Sequence, residues 1–301
     1  MLVTLNEVLK DAQEKHYAVG LFNTVNLEMA KGVLAAAEEL NSPVIIGTAE
    51  VLLPYSTLEE LALILVPMAK RAKVPVVLHF DHGLTLDCVH KAIALGFSSV
   101  MYDCSTKSYK ENVRDVKAMV EFAHSRGISV EAWVNPYRLR SSAAMPPNLA
   151  DGNLANTHPE WVCTVNGGLY LNPAVSAAAD YVVQGVAELV QNYAVDGIHF
   201  DDYFYPTTEE SIDAAQFAAS GAADLAAWRR QNVTALVKKV HDTVKTADPT
   251  LRFGISPQGN PDNDLNSQYS DVTAWLAAGG EEQVVDYLCP QIYWGYGYTL
   301  Q

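Results

Sequence analysis

Residues 127–138 read GISVEAWVNPYR. Gly127 ends a helical pattern, because glycine takes the left-handed conformation after a last helical turn at little cost. Ile128–Val134 is then a short apolar run of strand length. Trp133, Asn135, Tyr137 and Arg138 gather at its C-terminal end. With a helix before it and a long irregular stretch after it, the run reads as the central strand of a βα series.

The series continues outward in both directions. Upstream, Tyr17–Phe22, Pro43–Thr48, Val74–Phe80 and Ser98–Tyr102 are strand candidates; downstream, Asp196–Phe200, Leu251–Ser256 and Val285–Tyr293 are. Most are continuous apolar runs, as in parallel strands covered on both faces. Helical patterns lie between them. Asn26–Leu40 puts Leu27, Ala30, Val33, Leu34 and Ala37 on one face. Thr57 with Glu60 makes a capping box. Tyr109–Ser125, Ala174–Tyr193 and Ala222–Ala247 are amphipathic. Eight βα units in 301 residues match one α/β barrel of the TIM (β/α)8 type, which takes ~250 residues. The longest irregular stretch, Asn135–Pro173, holds an NGG turn at Asn166–Gly168 and falls on the C-terminal face, where barrel sites form. Only seven residues follow Trp294, so the final helix is expected to be missing. Either a partner, such as a second copy in a homo-dimer, covers the resulting seam, or the chain is cut there.

Composition narrows the function. Hydrophobic residues make up 49% of the chain, enough for a large core. The net charge of −15 leaves no basic patch to displace counterions from a phosphate backbone, which excludes nucleic acid as a partner. No apolar run reaches the ~18 residues that cross a bilayer. The N-terminal MLVTLNEVLKDAQEKH lacks the basic and apolar regions of a signal peptide, so a cytoplasmic location is expected. Cys88, Cys104, Cys163 and Cys289 have no metal or redox spacing and are expected as thiols packed in or near the core.

Two motifs carry chemistry. LHFDHG (Leu78–Gly83) ends the third strand with a carboxylate and an imidazole, Asp81 and His82, at the sheet's C-terminal edge. Such a pair suits metal-assisted enolisation, with the metal polarising a carbonyl while the carboxylate moves a proton. VDGIHFDDYFYP (Val195–Pro206) ends the sixth strand with Asp201 and Asp202, followed by Tyr203, Phe204 and Tyr205. Neighbouring carboxylates can divide labour, one protonated and one ionised, and aromatic rings suit stacking on a sugar. The plainer reading of this pair is a helix cap and a structural ion pair.

The first motif belongs to a longer pattern. YAVGLFNTVNLEMAKGVLAAAEELNSPVII (17–46), PVVLHFDHG (75–83), AIALGFSSVMYDCS (92–105) and ENVRDVKAMVEFAHSRGISVEA (111–132) resemble the class II, zinc-dependent fructose- or tagatose-bisphosphate aldolases. The resemblance implies that His82 is a zinc ligand and Asp81 the general base or acid. It places Asn23 and Asp103 at the mouths of neighbouring strands as substrate contacts. Cys104 stands where that family has glycine, and GTAEV replaces its serine turn after the second strand. The half that would supply two more zinc histidines and the phosphate loops is absent, and a catalytic zinc takes about three protein ligands. His79 is expected on the other strand face from His82, and His199 inside the barrel.

The second motif, with AWVNPYR, HPEWV, GGLYLNP, FGISPQG and DYLCPQIYWGYGY, resembles the glycosyl-hydrolase-like family 10 domain, known from secreted or envelope-associated bacterial proteins. The resemblance implies glycan hydrolysis, with bacterial cell-wall strands as the substrate class and no cofactor. It makes Asp201 and Asp202 the catalytic candidates and Asn135, Arg138, Tyr203, Gln291, Tyr293 and Trp294 the sugar contacts. Glu131, Asp81 or Asp103 would supply an opposing carboxylate. The pattern changes near Ala132, within one strand and in register. The chain therefore reads as a half-barrel chimera: 1–132 aldolase-like (strands 1–5) and 133–301 glycosyl-hydrolase-like. Three readings stay open: a glycoside-hydrolase-like protein with weak or no turnover, a zinc aldolase, and a non-catalytic scaffold, natural or designed.

Overall fold

The computed structural model describes residues 1–142 and 149–293. It is mixed α/β with parallel sheets, in two compact units: Met1–Phe122, and Ala123 onward. All eight sequence-located strands form, four in each of two parallel sheets. Among the described residues no helix is long and apolar enough to cross a membrane.

The first unit starts with α1 (Leu5–Lys15), opened by a Thr4–Glu7 capping box. Then come β1 (Leu21–Asn23), α2 (Leu27–Glu39), β2 (Val44–Ala49), α3 (Leu58–Arg71), β3 (Val76–Gly83), α4 (Leu86–Leu95), β4 (Ser99–Tyr102) and α5 (Tyr109–His124), which reaches the unit boundary. The Asn26 side chain caps α2, and Thr57 with Glu60 caps α3 reciprocally. The sheet order is β1-β2-β3-β4. Side chains alternate along each strand. Val8 of α1 closes one end of the sheet against Ile45 and Val77. Further along that same strand face stand Asn23, His79, Asp81 and Ser99, in register.

In the second unit β5 (Glu131–Val134) pairs with β9. The stretch expected to be irregular holds a three-stranded antiparallel sheet: β6 (Arg138–Arg140), β7 (Val162–Val165) and β8 (Gly168–Leu171), with a short α6 (Leu154–Thr157). Asn166 (φ 50°) and Gly167 (φ 79°) close the β7–β8 hairpin with left-handed backbone at both central positions, the geometry for which Asn-Gly is the preferred dipeptide. The chain continues through α7 (Ser176–Asn192), β9 (Gly197–Phe200), α8 (Ala214–Ser220), α9 (Leu225–Ala247), β10 (Arg252–Ile255), the helical turn α10 (Pro261–Asn263), α11 (Val272–Ala277) and β11 (Tyr287–Leu288). The sheet order is β11-β10-β9-β5, all parallel. Ile198, Phe200, Phe253 and Ile255 pack with Val182 and Val186 of α7 and Val233, Leu236, Val237, Val240 and Val244 of α9. Burying each such side chain contributes about 1.5–3 kcal/mol.

The opposite face of this sheet is polar: Glu131, Trp133, His199, Arg252 and Tyr287. Tyr287 lies across Gly254, its register partner, to reach His199 and Glu131. A methyl at Gly254 would fall inside the Tyr287 ring. Gly254→Ala is expected to destabilise the protein by about 1–3 kcal/mol, as overpacking does. An unchanged midpoint in urea unfolding would count against this.

Trp294 and the expectation of a missing final helix lie outside the described residues. Of the four thiols, Cys104 is buried and Cys88 and Cys163 are partly so, but Cys289 is exposed, against the expectation of a packed site.

Candidate functional site

The second unit gathers polar groups at the C-terminal ends of its strands. Asp201 follows β9, and its N–H donates to the Val134 carbonyl at 3.1 Å, extending the ladder one residue past the strand. The chain then turns sharply, and Phe204 and Tyr205 plug into the core. The Phe204 N–H donates to the Asp202 carbonyl at 3.0 Å and to Gln268 Oε1 at 3.2 Å. Two carboxylates are thus held between a strand end and two buried aromatic anchors.

Asp201 accepts from three sides. Oδ1 takes the Asp202 N–H at 2.9 Å and Gln291 Nε2 at 3.2 Å; Oδ2 takes Asn135 Nδ2 at 3.5 Å. Gln291 is fixed in turn, donating to the Ser256 carbonyl at 2.9 Å and accepting from the Tyr293 hydroxyl at 2.8 Å. Asn135 Oδ1 accepts the Arg138 N–H at 3.2 Å, and the Arg138 guanidinium lies 3.9 Å from the Tyr203 ring centre. The strand end therefore brings together Asp201, Asp202, Asn135, Arg138, Tyr203, Gln291 and Tyr293, all of which the sequence had singled out.

Burial pushes the Asp202 carboxyl up to about 6, and the neighbouring Asp201 charge and hydrogen bond push the same way. The Gln258 side chain, hydrogen-bonded to Asp202, works against them. A carboxylic acid titrating there keeps a large protonated fraction at mildly acidic pH, which is what a general acid needs.

Beneath this rim His199 is buried, with Nδ1 2.7 Å from the Tyr287 hydroxyl and Nε2 2.6 Å from Ser256 Oγ. Its ring packs on Trp133, centroids 4.4 Å apart. Burial drops its pKa to about 4, so it is neutral at neutral pH. Hydroxyl groups occupy both ring nitrogens, leaving neither for a metal. Glu131 is held by the Tyr287 hydroxyl and by Arg252 Nε at 2.8 Å. It is a member of this polar layer.

The first unit places its candidates along one sheet edge. β3 bulges between Phe80 and Gly83, and His82 has a left-handed backbone (φ 45°). Its Nδ1 lies 3.0 Å from Asp103 Oδ2, a bond that holds Asp103 well below the usual carboxylate range. His79 turns to different partners, Ser99 Oγ at 2.7 Å and Asp81 Oδ1 at 3.6 Å. Burial pushes Asp81 up, but His79 and His82 outweigh it and its carboxyl ends below the usual range. Asn23 ends β1 beside Gly47. Among the described residues no three His, Cys, Asp or Glu side chains cluster to hold a metal. The donor set does not fit a catalytic zinc, and no step is routed through one.

Three contributors escaped the sequence reading as functional residues. Gln258 lay in a quoted motif without a role. Asp264 is buried, with Oδ1 accepting the Gln258 N–H at 3.0 Å. Arg229 is buried and grips Asp213 with two bonds, at 2.8 and 2.6 Å. For Asp264 and Arg229 the only signal is charge in otherwise apolar or turn-forming stretches, which singles out no partner; the neutral Gln258 carries no signal beyond its motif.

Two families match the chain. The family described as Fructose-bisphosphate aldolase class-II matches residues 3–135, and Glycosyl hydrolase-like 10 matches residues 97–299. They overlap over 97–135, which contains β4, α5 and β5. Glycosyl hydrolase YngK of Bacillus subtilis (strain 168) is 35% identical over 202 residues, covering 60% of this chain and 39% of that protein. Fructose-bisphosphate aldolase of Thermus caldophilus is 45% identical over 132 residues, 44% of this chain and 43% of that one. The chain spans less than half the length of these curated relatives. The crystal structure of the YdjI aldolase from Escherichia coli K12 shares the fold with a TM-score of 0.53 at 24% identity, over 96% of this chain and 80% of that one.

Proposed function

Because this chain belongs to the Glycosyl hydrolase-like 10 family, we propose that it acts on glycosidic bonds, with bacterial cell-wall glycan strands as the substrate class. The observation that carries this is the carboxylate pair at the end of β9, with Asp201 fixed by Asn135 and Gln291 and Asp202 beside it, its carboxyl pushed up by burial. Asp202 is the general acid that protonates the leaving oxygen. Asp201 holds the acid in place and faces the positive charge that builds on the sugar in the transition state. Carboxylates on opposite sides of a scissile bond stand about 5–9.5 Å apart. Asp201 and Asp202 share a hydrogen bond, so they work on one side. Tyr203, backed by Arg138, is the stacking surface for a sugar ring, and Tyr293 joins it through Gln291. The test is release of reducing ends from cell-wall glycan fragments, with Asp202→Asn and Asp201→Asn beside the parent protein.

The finer fold reading, one (β/α)8 barrel made of two half-barrels, is supported by the count of eight βα units and by the likeness to the YdjI aldolase. The aldolase-like half is read as a structural contribution. Metal analysis of the purified protein is expected to find well under one zinc per chain. Stoichiometric zinc that survives dialysis would reopen aldol cleavage of a ketose bisphosphate.

A further inference from the structure

Asp264 has only 1% of its surface exposed. Oδ1 accepts the Gln258 N–H, but Oδ2 is buried with no hydrogen-bond partner among the described residues. A buried carboxylate is normally stabilised by two or three donors or a cation; with one donor the neutral acid is the favoured form. The charge bearing on it is that of Asp202, of like sign.

Gln258 joins this buried acid to the rim. Its N–H goes to Asp264, its side chain to Asp202, and its backbone bridges to Gln291, which holds Asp201. We propose that Asp264 is a positioning residue of the carboxylate site: as the neutral acid it fixes the Gln258 turn that both Asp201 and Asp202 lean on, and when ionised it releases that turn. The inference rests on the glycan-hydrolysis reading above. Ionisation sends the Asp264 proton to solvent; the Gln258 N–H bond to Oδ1 grows stronger, but Oδ2 is left charged and without a donor, and the turn must open to hydrate it. Burial pushes this carboxyl up to about 7 and Asp202 up to about 6, so both lose their protons around neutral pH. Among the described residues, the charge that bears on Asp264 is that of Asp202, and the charge that bears on Asp202 is that of Asp201.

The test is the pH dependence of kcat on cell-wall glycan fragments for the parent and Asp264→Asn; should the variant fail to fold, the parent's own profile decides. In the parent, log kcat should fall with a slope of about −1 above pH 6, steepening to about −2 above pH 7 as the second group ionises. The variant, with no proton to lose at this position, should fall with a single slope of about −1 above pH 6. A single slope in the parent, or the same steepening in the variant, overturns the proposal. Thermal unfolding gives a readout independent of turnover. A carboxyl raised on folding stabilises fully below its unfolded value of about 3.9, and that stability is lost as pH rises through its folded value. The parent's Tm should therefore drop more than the variant's between pH 5 and pH 8; parallel curves overturn the role of Asp264. If no protein hydrolyses glycan but the Tm curves diverge, the functional reading fails and the titrating turn stands.

Discussion

Asp202→Asn is expected to lower kcat on cell-wall glycan by about 10²–10⁴-fold, the usual contribution of a positioned general acid. Asparagine keeps the shape of the side chain and its hydrogen bond to Gln258, but it has no proton of suitable acidity to give. Substrate binding should change little, because Tyr203, Arg138 and Gln291 are untouched, so KM should stay near the parent value while kcat falls. The parent's activity should decline as pH rises through about 6, where Asp202 loses its proton. The variant's residual activity should lack that limb. An Asp202→Asn protein with parental kcat would remove Asp202 from the chemistry. A matching loss in Asp201→Asn would show that Asp201 holds the acid in place.

The largest stability effect is expected at Arg229. Its five N–H donors are all used: Nε and Nη2 on Asp213, Nη1 on the Thr208 carbonyl at 3.1 Å and the Tyr269 hydroxyl at 3.0 Å, and Nη2 also on the Glu209 carbonyl at 2.9 Å. The rings of Tyr205 and Tyr269 flank the guanidinium at 5.1 and 5.0 Å. Neither Arg229 nor Asp213 has exposed surface. Arg229→Met leaves Asp213 buried without its cation and three acceptors without donors. Breaking a buried pair from one side costs about 3–5 kcal/mol. Arg229→Met with Asp213→Leu removes both charges and should recover a good part of that loss, since apolar replacement of a whole buried pair is often near neutral. Urea unfolding of the two variants decides it. A single variant within about 1 kcal/mol of the parent would mean that the pair holds nothing in place.

Arg229 also shows where sequence reading stops. The eight parallel strands were legible because each is a short apolar run between helical patterns, and those two periodicities survive any tertiary arrangement. The cap at Thr57 was legible because its partner Glu60 lies three residues away. The antiparallel sheet after β5 went unread although Asn166-Gly167 marked its hairpin. Its strands are only three or four residues long, too short for an alternation to stand out. Asp201, Asp202, Asn135 and Gln291 were found because strand ends collect function in this fold class. Asp264 and Arg229 were not, because what makes each one matter is a partner six or more residues away and the removal of water around both. Composition records a charge but not whether it is dry. Likewise His82 and Asp103 were read as separate mouth residues, and only the bulge in β3 brings them together.

The stretch from β4 through α5 to β5 matches two family patterns at once. Such a segment works as a coupling with the same thread on both ends. Proteins that share it can differ upstream or downstream while the two strands and the helix inside it keep their sequence pattern. Novelty by exchange of parts is then easiest where two parents already agree, and the differences that decide chemistry are free to accumulate at the far ends of the strands.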